Sequence, residues 1–190
     1  MISLSPKGGV QLAMTKQDAS EILYAEIDNE IVVLRVIGRG TYHNSMSLER
    51  LDHDLERRNR HVRYILDLEQ CNYLDSTFMG VLAYLGSRQL QQAGSRMLVV
   101  NLNKHTLKLL STLGLTNILQ VTAANDELPV NKANFIAPQQ PETDKVDRIA
   151  HMLQAHQQLS DLTSDNEVRF KNVLAVLGDS LKRESDPQQP

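Results

Sequence analysis

The sequence predicts an α/β fold carrying a helical extension, and three observations predict it. Between Glu21 and Val121 short apolar runs alternate with helical stripes. In the stretch Tyr64 to Gly86 a buried-strand pattern changes abruptly into a helix. Beyond residue 143 the pattern is helical alone. Strands separated by helical crossovers of this length call for parallel pairing with right-handed connections. At 190 residues, the chain is long enough for one substantial domain with a sizeable core plus an appendage. Its 41% hydrophobic and 23% charged residues are ordinary for a soluble globular protein.

The first twenty residues, with Pro6, Gly8 and Gly9, lack the continuous apolar core of a signal peptide and read as a flexible lead, 1–20. Glu21 to Ile27 and Ile31 to Ile37 read as two strands around the short turn Asp28-Asn29-Glu30, an antiparallel hairpin at the sheet edge. Gly38 and Gly40 are expected to break the second strand. Asn44 or Ser45 then offers a cap for a helix that turns Leu48, Leu51 and Leu55 inward and Glu49, Arg50, Asp52, Glu56 and Arg57 to water. The basic run Arg57, Arg58, Arg60, His61 and Arg63 reads as the solvated C-terminus of that helix, its cations complementing the helix dipole.

Tyr64, Ile65, Leu66 and Leu68 form the apolar run of a covered strand. From Phe78 onward Phe78, Met79, Leu82 and Leu85 fall at helical spacing. Asp75, Ser76 and Thr77 therefore sit where the backbone enters a helix, whose unpaired N–H groups and partial positive charge suit a capping oxygen or an anion. Gly94 stops this helix, Met97 to Val100 supplies the next strand, Leu107, Leu110 and Leu113 mark a helix ending at Gly114, and Ile118 to Val121 is a last strand.

The run Asp67 to Leu82, DLEQCNYLDSTFMGVL, resembles the signature of the STAS family, the anti-sigma factor antagonists and their relatives. In that family a strand runs into an Asp-Ser-Ser/Thr-Gly-Leu-Gly turn that opens a helix. Asp75, Ser76, Thr77 and Gly80 match as they stand, while Phe78 replaces the first glycine and Met79 the leucine. LLSTLGLTNILQV from Leu109 resembles the end of the family's domain. The resemblance implies a STAS-like domain over 21–121, with a mixed four- to five-stranded sheet and packed helices.

Residues 122–143, rich in Asn, Pro and Gln, read as a linker whose Val130, Phe135 and Ile136 are candidates to dock on the domain. The extension 144–184 reads as a helical hairpin. Val146, Ile149, Leu153 and His156 form one stripe; Ser164 with Glu167 forms a capping box before Phe170, Val173, Leu174, Leu177 and Leu181. Such short helices need a surface to pack on: each other, the domain, or a second chain in a homodimer. Residues 185–190 read as a disordered tail.

Enzyme motifs are missing: there is no P-loop, no Gly-x-Gly-x-x-Gly, no His-Glu-x-x-His and no Cys-x-x-Cys. Ser76 lacks the Gly-x-Ser-x-Gly elbow and a histidine placed by sequence to activate it. His151 and His156, five apart, do not share a helical face, so no metal site or cofactor is expected. A net charge of -3 gives no reason to expect nucleic acid, and nothing suggests membrane insertion. The single Cys71 forbids an internal disulfide, fits a reducing cytoplasm, and reads as an apolar filler.

On residue chemistry alone Ser76 reads first as an N-cap; the resemblance favours a regulatory serine. It implies an anti-sigma factor antagonist in a partner-switching pathway, with no enzymatic activity of its own. Its partners would be an anti-sigma factor that is itself the serine kinase and a resetting serine phosphatase. Ser76 would be the phosphorylated residue, and Asp75, Ser76, Thr77, Phe78, Met79 and Gly80 the partner-binding turn. A reading from another class stays open: a non-switching STAS interaction or scaffold subunit, for example of a transporter or signalling complex.

Overall fold

A computed structural model describes residues 20–27, 29–122 and 134–186. Strands β1 (Glu21–Glu26) and β2 (Ile31–Gly40) pair antiparallel, with Tyr24 opposite Leu34. Helix α1 (Tyr42–Arg57) leads to β3 (Arg63–Asp67), which lies parallel to β2. A short β4 (Cys71–Leu74) follows, then α2 (Ser76–Ala93), β5 (Met97–Val100), α3 (Lys104–Thr112), a single 3-10 turn and β6 (Leu119–Val121). Helices α4 (Lys145–Ser160) and α5 (Ser164–Ser185) follow. The sheet order is β1-β2-β3-β5-β6, with β4 paired to the end of β2.

Among the described residues the sheet has six strands where the sequence predicts four or five, and the additional one, β4, bears on the site. Gly38 and Gly40 do not break β2. Gly38 adopts φ 68°, a left-handed conformation that glycine takes without strain, and the pairing shifts there from β3 to β4. Arg39 and Gly40 then pair with Tyr73 and Leu74, so β2 and β4 together fix the point where α2 begins.

The alternation along β2 divides two apolar layers. Val32, Leu34 and Val36 face a large core that also holds Leu48, Leu55, Phe78, Leu82 and Leu110, so the helices pack on that side. Val33, Ile65 and Val100 face the other side, where Phe135 packs. There the Arg35 guanidinium lies 4.1 Å from the Phe135 ring centroid. Ile136 exchanges backbone hydrogen bonds with Tyr24, so part of the expected linker lies along β1; Val130 falls outside the described residues.

Three expectations about α1 and α5 need correction. The N-cap of α1 is Thr41, and Asn44 accepts from its N–H at 2.8 Å. The cap of α5 is Thr163 rather than Ser164. Asp52 does not face water: it is fully buried and accepts the Tyr64 hydroxyl at 2.6 Å as well as the Arg88 guanidinium. An isolated helical stripe cannot reveal that a neighbouring helix supplies an arginine to hold a carboxylate inside, which is the condition for burying one.

Candidate functional site around Ser76

Asp75 closes β4 and opens α2. Its backbone is extended, φ -86° and ψ 170°, and its Oδ1 accepts the Phe78 N–H at 2.8 Å, so Asp75 is the N-cap and Ser76 the first helical residue. The reading of Ser76 as a cap is thereby excluded. The second carboxylate oxygen accepts the Tyr42 N–H, also at 2.8 Å, so one side chain ties the starts of α1 and α2 together.

Ser76 is half-buried, and so is Asp75. Thr77 and Met79 are each 4% exposed, Phe78 is wholly buried, and Gly80 is buried as well. Phe78, which stands where the family pattern has glycine, finds its space opposite another glycine. A Cβ on Gly40 would lie 2.7 Å from Leu74 Cδ2 and 2.8 Å from Phe78 Cδ1. The ring thus packs against bare backbone of β2 and points away from any surface a partner could touch.

The burial of Gly80 has a different cause. Helix α4 crosses α2 here, and a Cβ on Gly80 would fall on the Ala155 carbonyl. His156, one residue on, places Nε2 2.9 Å from Ser76 Oγ. Its Nδ1 lies 2.7 Å from the Met152 carbonyl, an acceptor only, so Nδ1 carries the proton and the serine hydroxyl donates to Nε2. His151 on the same helix reaches α1 instead, with Nε2 2.7 Å from Ser45 Oγ and Nδ1 2.8 Å from Glu49. Five residues turn a helix by roughly 500°, so the two histidines point about 140° apart. That separation suits a helix seated between two others.

A serine and a histidine at this distance invite a nucleophile reading. The surroundings give it little to work with: Asp75 already holds the Phe78 N–H, and the Met79 N–H bonds the Asp75 carbonyl. These are first-turn donors that would otherwise stabilise an oxyanion. The histidine is oriented by a carbonyl of its own helix and not by a carboxylate. The pair reads as a docking bond between α2 and α4.

Beside the turn, Tyr73 is 36% exposed and the Arg39 guanidinium stacks 4.4 Å from its ring centroid. Tyrosine and arginine are the residue types that anchor protein interfaces. Sequence reasoning passed over both, because only the β2–β4 pairing sets them side by side beside Asp75. On the α3 side Ser76 lines a cavity of about 350 Å³ with Met79, His105, Lys108 and Phe170.

Residues 23–128 match the family model of the STAS domain, more than half of the chain. The chain belongs to the STAS domain family. Asp75, Ser76 and Thr77 stand inside the matched span, and α4 and α5 lie beyond it. Among solved structures the chain is similar to the anti-sigma factor antagonist SpoIIAA in its unphosphorylated form. That match has 17% identity and a TM-score of 0.47, and covers 60% of this chain and 96% of the other. It is also similar to the Bacillus cell fate determinant SpoIIAA in the phosphorylated form, at 18% identity and a TM-score of 0.46, over 60% and 98% of the two chains. Comparison with curated proteins gave no match.

The remaining chemistry is structural. Cys71 is buried on β4, and burial pushes its thiol up, away from reactivity. Among the described residues Asp52, His53 and Glu56 have ligand atoms close enough to share a cation, but both acids are spent on Arg88. No helix among the described residues is long and apolar enough to cross a membrane.

Proposed function

We propose that this STAS protein is an anti-sigma factor antagonist of a partner-switching pathway. It binds an anti-sigma factor that is also a serine kinase, is switched off by phosphorylation of Ser76, and is reset by a serine phosphatase. It acts in the cytoplasm, with protein partners and no enzymatic activity of its own. The observation that carries the reading is the place of Ser76, first residue of α2 immediately after the Asp75 cap, in a chain of this family. The positive end of the helix dipole accommodates a phosphate there without unfolding the domain. A partner docking over the turn would instead have to bury a dianion. Doing so unpaired costs several kcal/mol, and each ~1.4 kcal/mol is tenfold in affinity.

Mass spectrometry after incubation with ATP in an extract of the native cytoplasm tests this. One phosphoryl group is expected on Ser76, none on Ser76→Ala, and a partner captured by the wild type should be lost with Ser76→Asp. Phosphate on Thr77, or a Ser76→Asp chain that keeps every partner, would refute the switch.

A second reading is favoured by the burial of Thr77, Phe78, Met79 and Gly80 and by the Ser76–His156 bond. In it the chain is a non-switching scaffold subunit whose turn is structural. The same experiment separates the two.

A further inference from the structure

The turn at Ser76 is partly covered in this chain by its own C-terminal helices. Helix α4 bonds α2 through His156 and α1 through His151, and meets α2 backbone to backbone at Gly80 and Ala155. Leu159 and Phe170 are buried against the domain. At the hairpin turn, Asn166 Nδ2 donates to the Leu113 carbonyl at 2.9 Å. These contacts seat both helices beside Ser76, on a face that lies within the STAS fold while the helices lie outside it.

We infer that α4 and α5 form a latch seated in cis on the Ser76 face, and that the seated latch and a phosphoryl group on Ser76 exclude each other. The inference rests on the reading of Ser76 as the modified residue. In the transfer Ser76 Oγ takes the γ-phosphoryl group of ATP, the hydroxyl proton passes to a base of the kinase, and ADP leaves. The 2.9 Å between Oγ and His156 Nε2 holds a hydrogen bond and leaves no room for phosphorus and three oxygens. Nor can α4 back away locally, because one turn further along α2 the Gly80–Ala155 contact fixes the spacing of the two helices. The closed chain therefore shields the first turn of α2 from a kinase or a docking partner, both of which meet the open form. Phosphate then holds the latch off and leaves the apolar face bearing Ala155, Leu159 and Phe170 free. One lodging competes with this outcome: the cavity toward α3, where a phosphate rotated away from α4 would meet His105 and Lys108.

Hydrogen exchange on the full chain with phosphoserine installed at position 76 during translation decides between them. Exchange across α4 and α5 is expected to rise at least tenfold while β2, β3 and β5 keep their protection. Gly80→Val, whose side chain has no space under α4, is expected to open the same helices without phosphate. His151→Ala, which removes the bonds to Ser45 and Glu49, is expected to open them more weakly and serves if the valine variant does not fold. Unchanged protection of α4 in the phosphoserine chain would place the phosphate in the cavity and overturn the latch. Equal loss of protection in the sheet would also overturn it, since the helices would then be inseparable from the core. No kinase is needed, so the outcomes are distinct. A Ser76 that no extract phosphorylates removes the switch and leaves an opening latch standing; a latch that stays shut removes the latch and leaves the switch standing.

Discussion

The contact between Phe78 and Gly40 lends itself to a double-mutant cycle, because each residue occupies the space the other vacates. Phe78 is fully buried, so Phe78→Ala loses a whole ring and should cost about 3–5 kcal/mol. Gly40→Ala in the wild type drives a methyl group to 2.8 Å from the ring and 2.7 Å from Leu74 Cδ2, an overpacking of about 1–3 kcal/mol. With Phe78 already truncated, the same methyl meets only Leu74 and partly fills the cavity, so its cost should fall to about 1 kcal/mol or less. The coupling between the two sites is then about 1–2 kcal/mol, read as the difference of two differences in urea unfolding free energy at constant m. Additivity within about 0.5 kcal/mol would refute the reasoning. It would mean that the ring does not use the space above Gly40 and that the seat of α2 is built in another way.

Three further outcomes are expected. Asp75→Ala loses the bonds from Phe78 and Tyr42 and should cost about 1–2 kcal/mol for the cap and about 1 kcal/mol for the second bond, whereas Asp75→Asn keeps one acceptor and should lie between; thermal melts would show equal losses if only one oxygen mattered. Burial pushes the Asp52 carboxyl above its ordinary 3.8, against the pull of the Tyr64 hydrogen bond and of Arg88. Between 3.8 and the raised value the folded chain holds a proton that the unfolded chain has lost, so this group's contribution is fully present below 3.8 and is lost as pH rises through the raised value. Asp52→Asn should abolish that downward slope in urea midpoints measured from pH 4 to 7, and an unchanged slope would assign it to another group. Finally, Tyr73→Ala should leave stability within about 0.5 kcal/mol, as for an exposed position, yet weaken capture of the partner identified with wild-type chain; full capture would remove the Arg39–Tyr73 pair from the interface.

The α/β class, the edge hairpin and the strand-to-helix junction at Asp75 and Ser76 are legible in the sequence, because each is written in local periods. Apolar alternation gives the strands and three- and four-residue spacing gives the helices, whereas the cap that residue chemistry puts on Ser76 belongs to Asp75. Met97–Val100 is legible as a strand in the sequence and is one in the structure, and Gly94 ends α2 with φ 63° as a glycine after a helix should. The Asp-Ser-Thr motif likewise carries the resemblance to the STAS family that the family model bears out.

Relations between residues far apart in the chain emerge only in the folded structure. That α4 lies on α2, that His156 bonds Ser76 across 80 positions, and that Gly80 is small because Ala155 needs the room are pairings no local period encodes. The same holds for Asp52, whose helix position faces solvent in isolation and is buried only because Tyr64 and Arg88 arrive from β3 and α2. The physical reason is common to all of them. Local pattern records how much of a side chain must leave water, whereas the partner that makes leaving favourable is chosen by packing in three dimensions.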